Sequence, residues 1–154
     1  MDEKKHLAKI RLTAMNFLSF REHSCHELTE KLMMKFDQSK LISQVVNQLV
    51  SENLQSDKRF ADAFVRSRIA RGQGEVRIRM ELRERGIELE LANQAIDGCD
   101  IDWFNLALEI VKNKYGEEFV VDNREKAKRM RFLQYRGFTY DQISYALVEQ
   151  KQDN

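Results

Sequence analysis

Along most of the chain apolar residues recur every three to four positions, the period of a helix with one buried face rather than of a strand. Ile10, Ala14, Phe17 and Leu18 share one face, Leu28, Leu32 and Phe36 a second, and Leu41, Val45 and Leu49 a third. Phe60 and Phe64, continued by Ser67, make a fourth stripe, Ile78 and Leu82 a fifth, and Ala92, Ala95 and Ile96 a sixth. Trp103, Leu106, Ala107 and Ile110 follow, then Ala127, Met130 and Leu133, and finally Ile143, Ala146 and Leu147. The pattern predicts nine short helices and an all-α fold.

The punctuation between the stripes agrees. Ser24-Cys-His-Glu27 and Thr139-Tyr-Asp-Gln142 fit the capping box, in which a side-chain oxygen accepts from an orphan amide and a residue three positions on reaches back. Asp122-Asn-Arg-Glu125 is a looser version of it. Gly72, Gly74, Gly86, Gly98, Gly116 and Gly137 all fall between stripes and are expected as helix ends with positive φ.

Comparing the helix ends exposes a repeat. Leu82-Arg-Glu-Arg-Gly86-Ile87 resembles Leu133-Gln-Tyr-Arg-Gly137-Phe138 at an offset of 51 residues, and Phe36 stands 51 before Ile87. The first copy, Leu32-Met-Met-Lys35-Phe36, lacks the glycine. Leu41/Val45, Ala92/Ile96 and Ile143/Leu147 then occupy matching places. The unit is thus three short helices in about 50 residues, and three units are expected at 1–55, 56–99 and 100–154. Helices this short bury little apolar surface alone, so neighbouring units should stack into an elongated body.

Composition narrows the class without changing it. The 26 Lys+Arg and 25 Asp+Glu nearly cancel, and Pro is absent against a usual share of about 5%. No apolar run approaches the roughly 18 residues of a membrane span. The opening Met-Asp-Glu-Lys-Lys-His lacks the apolar stretch of a secretory signal. Cys25 and Cys99 make no disulfide framework, so a cytoplasmic protein is expected. The charges are nevertheless segregated. Lys58–Arg85 holds nine bases and four acids, Ile87–Ile110 six acids and no base, and Val111–Arg136 eight bases and four acids. Alternating signs suit a partner of mixed charge better than a uniform coat on nucleic acid.

Candidate chemistry is sparse. His6, His23, Cys25 and His26 offer ligand atoms, but structural zinc takes four ligands, usually in two spaced pairs, and no metal is expected. Cys25 lies where a helix N-terminus lowers a thiol pKa, though an ordinary surface thiol is the simpler reading. Gly72-Gln-Gly74 follows a helix and lacks both a third glycine and a Walker lysine, so it reads as a tight turn. No nucleophilic triad or isolated acid pair suggests catalysis, and neither an enzyme nor a cofactor is expected. Tyr115, Tyr135, Tyr140 and Tyr145 form no evident stacking platform and are read as mostly semi-buried packing residues. The arginines stand out, because guanidinium is weakly hydrated and bonds in two-pronged fashion at interfaces.

The stretch Asp57-Lys-Arg-Phe60-Ala61-Asp-Ala-Phe64-Val65-Arg-Ser-Arg68-Ile-Ala-Arg-Gly72-Gln-Gly74, continued through Ile78 and Leu82 to Gly86-Ile87, resembles the RecX family. Arg136-Gly137-Phe138 followed by Ile143 is similar to that family's C-terminal element. The likeness spans essentially the whole chain, Lys35-Phe36 being the departure. It implies three tandem three-helix modules in a curved, elongated arrangement. It also implies a regulator of the RecA recombinase in DNA repair, recombination and the SOS response. Such a regulator binds the RecA–single-stranded-DNA filament and inhibits strand exchange, ATP hydrolysis and co-protease activity. On this reading Phe60, Phe64, Ile78 and Leu82 hold the second unit together and leave its Arg-rich faces free. The partner-binding residues expected are Arg66, Arg68, Arg71, Arg77, Arg79, Arg83, Lys126, Arg129 and Arg136. The protein is expected to be a monomer that touches ssDNA or dsDNA at most weakly. A rival reading, a direct DNA-binding helical protein using its Arg-rich second and third repeats, fits the same charges.

Overall fold

A computed structural model describes residues 2–117 and 122–152, with side chains to 148. Nine helices and no strand lie among them: α1 (Asp2–Phe20), α2 (Cys25–Met33), α3 (Ser39–Ser51), α4 (Asp57–Ala70), α5 (Glu75–Glu84), α6 (Leu89–Asp97), α7 (Trp103–Tyr115), α8 (Asn123–Arg136) and α9 (Tyr140–Gln152). They correspond one to one with the nine stripes.

The chain forms two compact units, one of residues 1–64 with 82–92 and the other of 65–81 with 93–154. In the first, α1, α2 and α3 close around Ile10, Ala14, Leu28, Leu32, Ile42, Val45, Val46 and Leu49. Phe60 and Phe64 stack one turn apart on α4, ring centroids 5.5 Å apart. In the second unit α7, α8 and α9 enclose Ala107, Val111, Leu133, Phe138, Ile143 and Ala146. Ile78 and Leu82 are likewise fully buried.

Both capping boxes form. Ser24 Oγ accepts from the Glu27 amide at 3.0 Å, and Glu27 Oε1 from the Ser24 amide at 3.1 Å. Thr139 Oγ1 accepts from the Gln142 amide at 3.2 Å while Gln142 Oε1 accepts from the Thr139 amide at 2.9 Å. Asp122 instead accepts from the Arg124 amide, without the reciprocal bond of a box. Ser56 and Asp102 cap α4 and α7 in the same manner, two caps the patterning did not single out.

The repeated Leu–Gly ends are one structure seen twice. The Ile87 amide donates to the Leu82 carbonyl at 3.0 Å and the Phe138 amide to the Leu133 carbonyl at 3.2 Å. Gly86 and Gly137, at φ of 78° and 99°, supply the left-handed residue this helix ending requires. At the first copy the Phe36 amide reaches Leu32 directly at 2.9 Å, one residue shorter, and the backbone needs no left-handed residue there. The expectation of positive φ fails at Gly74 and Gly98; Asn53 and Asp100 take left-handed conformations instead. Gly74 is small for another reason, the close approach of the Gly137–Phe138 backbone.

Candidate interaction surface

Helix N-termini leave amides without intrahelical acceptors, and at two places in this chain further acceptors come from later turns. In the second unit the Gly74 amide donates to the Arg136 carbonyl at 2.7 Å and the Val76 amide to the Gly137 carbonyl at 2.9 Å. A Cβ on Gly74 would stand 2.5 Å from the Gly137 carbonyl carbon, and one on Gly137 2.7 Å from the Arg77 nitrogen. Gln142 Nε2 adds a bond to Glu75 at 2.8 Å. In the first unit Gly86 faces His26, whose Cβ would lie 2.6 Å from an added Cβ. There Asp57 Oδ1 accepts from the Cys25 amide at 2.8 Å, and Gln55 donates to the His23 carbonyl at 3.1 Å. His26 and Arg77 are themselves 51 positions apart, so the two junctions are equivalent.

These junctions decide which arginines are available. Arg68 Nε and Arg77 Nε each donate to Glu81, on opposite oxygens, both at 2.9 Å. Burial alone pushes the Glu81 carboxyl up, but the hydrogen bonds and charges of Arg77 and Arg68 outweigh it and hold Glu81 below its ordinary range. Arg77 also lies over the Tyr135 ring, 5.0 Å from its centroid. Arg79 bonds Asn93 at 2.8 Å and pairs with Glu75 at 3.5 Å. Arg129 is 5% exposed, against Glu125 and over the Tyr115 ring. Arg136 donates to the Arg71 carbonyl at 2.9 Å and covers Phe132.

Of the nine expected contact residues, only Arg66, Arg71, Arg83 and Lys126 stand exposed. The Arg-rich faces are therefore not left free as expected: Arg68, Arg77, Arg79, Arg129 and Arg136 are engaged within the fold. Reversing Arg68 or Arg77 would strand Glu81 as well as altering any partner contact. The tyrosines also differ from expectation. Tyr115 packs against the α7–α9 core, but Tyr135 and Tyr140 are 74% and 72% exposed. The i,i+4 spacing of Arg77 and Glu81 was the readable sign of their pair, whereas the Arg68 bond depends on the turn between α4 and α5.

His23 and Cys25 serve packing. His23 is buried with Nδ1 3.0 Å from the Arg21 carbonyl and Nε2 2.8 Å from Lys31 Nζ, so the neutral ring donates to the first and accepts from the second. Burial, followed by the Arg21 and Lys31 charges, lowers its pKa. Cys25 is half-buried, and burial with the nearby Asp57 charge raises its pKa, opposite to the helix-end effect. No group of three or more His, Cys, Asp or Glu able to hold a metal lies among the described residues. No described helix is long and apolar enough to cross a membrane.

Comparison with known proteins places this architecture. Residues 56–96 match the RecX second three-helix domain and 100–147 the RecX third three-helix domain. The regulatory protein RecX of Halorhodospira halophila is 36% identical over 145 residues, 94% of this chain and 90% of that protein. That of Pseudomonas savastanoi pv. phaseolicola is 41% identical over 138 residues, 90% of this chain and 89% of its own. The crystal structure of RecX from Lactobacillus salivarius has the same fold, with a TM-score of 0.79 at 24% identity, covering 97% of this chain and 99% of that one. Nine helices among the described residues, with both glycine turns and a likeness running nearly end to end, make the chain a member of the RecX family of regulatory proteins.

Proposed function

We infer that this protein binds the RecA–single-stranded-DNA filament and restrains its recombinase, ATPase and co-protease activities. The reading rests on one observation, the alignment of 94% of the chain with a regulatory protein of the RecX family. The three repeats, 1–55, 56–99 and 100–154, serve as the scaffold, and the exposed cations Arg66, Arg71 and Arg83 make the principal contact. Lys126 adds a second contact from the third repeat. Because their neighbours are already paired with Glu81 and Glu75, these arginines meet a partner without disturbing the fold.

The test is RecA ATPase on single-stranded DNA, titrated with wild type and with R66E/R71E/R83E. Wild type inhibits, and the triple variant needs about tenfold more protein while melting at the same temperature, since the substituted side chains lie on the surface. Normal inhibition by the triple variant moves the contact elsewhere. Failure of wild type to inhibit overturns the function itself.

A further inference from the structure

The third repeat divides its charge between its helices. Helix α8 carries six bases and one acid over Asn123–Arg136. The first half of α7 with its cap, residues 100–110, has three acids and no base, and residues 140–148 of α9 have one acid and no base. The nearest base on α7, Lys112, lies two turns beyond Phe104 and already has a partner. On this acidic side Phe104 and Tyr145 meet edge to face between the two helices, ring centroids 5.5 Å apart. Both rings stay open to solvent: Phe104 is 42% exposed and Tyr145 38%, and Val148, one turn beyond Tyr145, is 51% exposed. Asp141, Tyr145 and Val148 stand at i, i+4 and i+7, one stripe along α9. Asp102 caps α7 two residues before Phe104, accepting from the Asn105 amide at 3.1 Å. Asp102 and Asp141 are exposed and form no ion pair among the described residues.

Packing within the repeat does not account for these side chains, which stand outside the cluster closed by Ala107, Val111, Leu133, Phe138, Ile143 and Ala146. Aromatic rings at the centre and carboxylates at the rim are the make-up of a protein interface. A phosphate backbone is repelled by a face that holds acids and no base. A wholly apolar partner would bury the carboxylates without giving them a counter-charge. An arginine answers both features, since guanidinium bonds a carboxylate in two-pronged fashion and lies favourably over an aromatic ring. The stripe from Asp141 to Val148 spans about 10 Å at 1.5 Å per residue. That is two turns of a partner helix with its i, i+4 and i+7 residues turned inward. We propose that the face of Phe104, Tyr145 and Val148, rimmed by Asp102 and Asp141, docks an arginine-bearing amphipathic helix of a protein partner. The proposal goes beyond the filament reading, adding a face opposite in charge to Arg66, Arg71 and Arg83.

The test is fluorescence anisotropy of a labelled helical peptide, Leu-Arg-Arg-Leu-Leu-Arg-Leu repeated twice, titrated with the full chain. Wild type binds it, and Y145Q/V148S and D102N/D141N each bind about fivefold or more weakly. Both variants should melt as wild type does, since Asn caps a helix as well as Asp and the other changes lie at the surface. R66E/R71E/R83E should bind the peptide at least as tightly as wild type. A peptide of the same composition, shuffled so that leucine and arginine no longer fall on separate faces, should bind several times more weakly. No binding by wild type, unchanged affinity in either double variant, or equal binding of the shuffled peptide overturns the site. RecA ATPase inhibition measured on the same samples separates the two readings. A wild-type protein that holds the peptide through Tyr145 and Asp141 but never slows RecA fails the filament reading and keeps this one.

Discussion

The two junctions, His26 against Gly86 and Arg77 against Gly137, solve one problem with different chemistry. Each joins a helix N-terminus to a glycine turn 60 residues later. At the first, side chains satisfy the orphan amides: Ser24 takes the Glu27 amide and Asp57 that of Cys25. At the second, main chain does the work, as Gly74 and Val76 donate to the carbonyls of Arg136 and Gly137. Side-chain caps leave room for a Cβ at the capping position, so serine stands at 24. Backbone-to-backbone capping removes that room, and glycine is required at both 74 and 137.

The sharpest way to break the comparison is Gly137→Ala. The left-handed conformation and the approach to the Arg77 backbone together should cost about 3 kcal/mol or more by urea denaturation. Gly86→Ala should cost less, about 2 kcal/mol, because the atoms nearest an added Cβ there are the Cβ and ring of His26 rather than main chain. Adding His26→Gly to Gly86→Ala should recover part of the loss, whereas Arg77→Gly added to Gly137→Ala should recover less, since the main-chain nitrogen stays. Equal costs at the two glycines, or equal rescue, would show that the junctions are energetically alike. A smaller effect follows from Ser24→Ala, about 1 kcal/mol for the lost cap.

The smallest effect is with pH, and only the first junction carries its upper step. The folded-state pKa of His23 is depressed below 6.5, so its stabilising effect is present above that value and declines as pH falls. Glu27 and Glu81 are depressed below 4.5; burial raises both, but arginine bonds win, and their effect declines only in the more acid range. Denaturation midpoints should thus fall in two stages on acidification, and His23→Gln should erase the upper one. A single stage in wild type would remove His23 from this account.

Much of the fold was legible because helical periodicity and capping are local. Leu82 and Leu133, Gly86 and Gly137, and the boxes at Ser24 and Thr139 announce themselves within six residues. The shortened turn at Phe36 was visible as a missing glycine, though not its direct bond to Leu32. The site was legible only in outline. Which arginines are free depends on tertiary partners: Arg68 meets Glu81 across a turn, and Arg136 meets the carbonyl of Arg71, 65 positions away. Gly74 was readable as a turn residue, but its reason, a carbonyl of the α8–α9 turn pressed against it, belongs to no local pattern.

The Val76–Gly137 bond also sets a timetable for biosynthesis. Helix α5 leaves the ribosome with its first amides lacking the acceptors they use in the finished protein, and these arrive only about 60 residues later. Helices form far faster than a chain is elongated at about 5–20 residues per second. The nascent second repeat must therefore wait some seconds with water in place of its cap, and it locks only when the third repeat has been made.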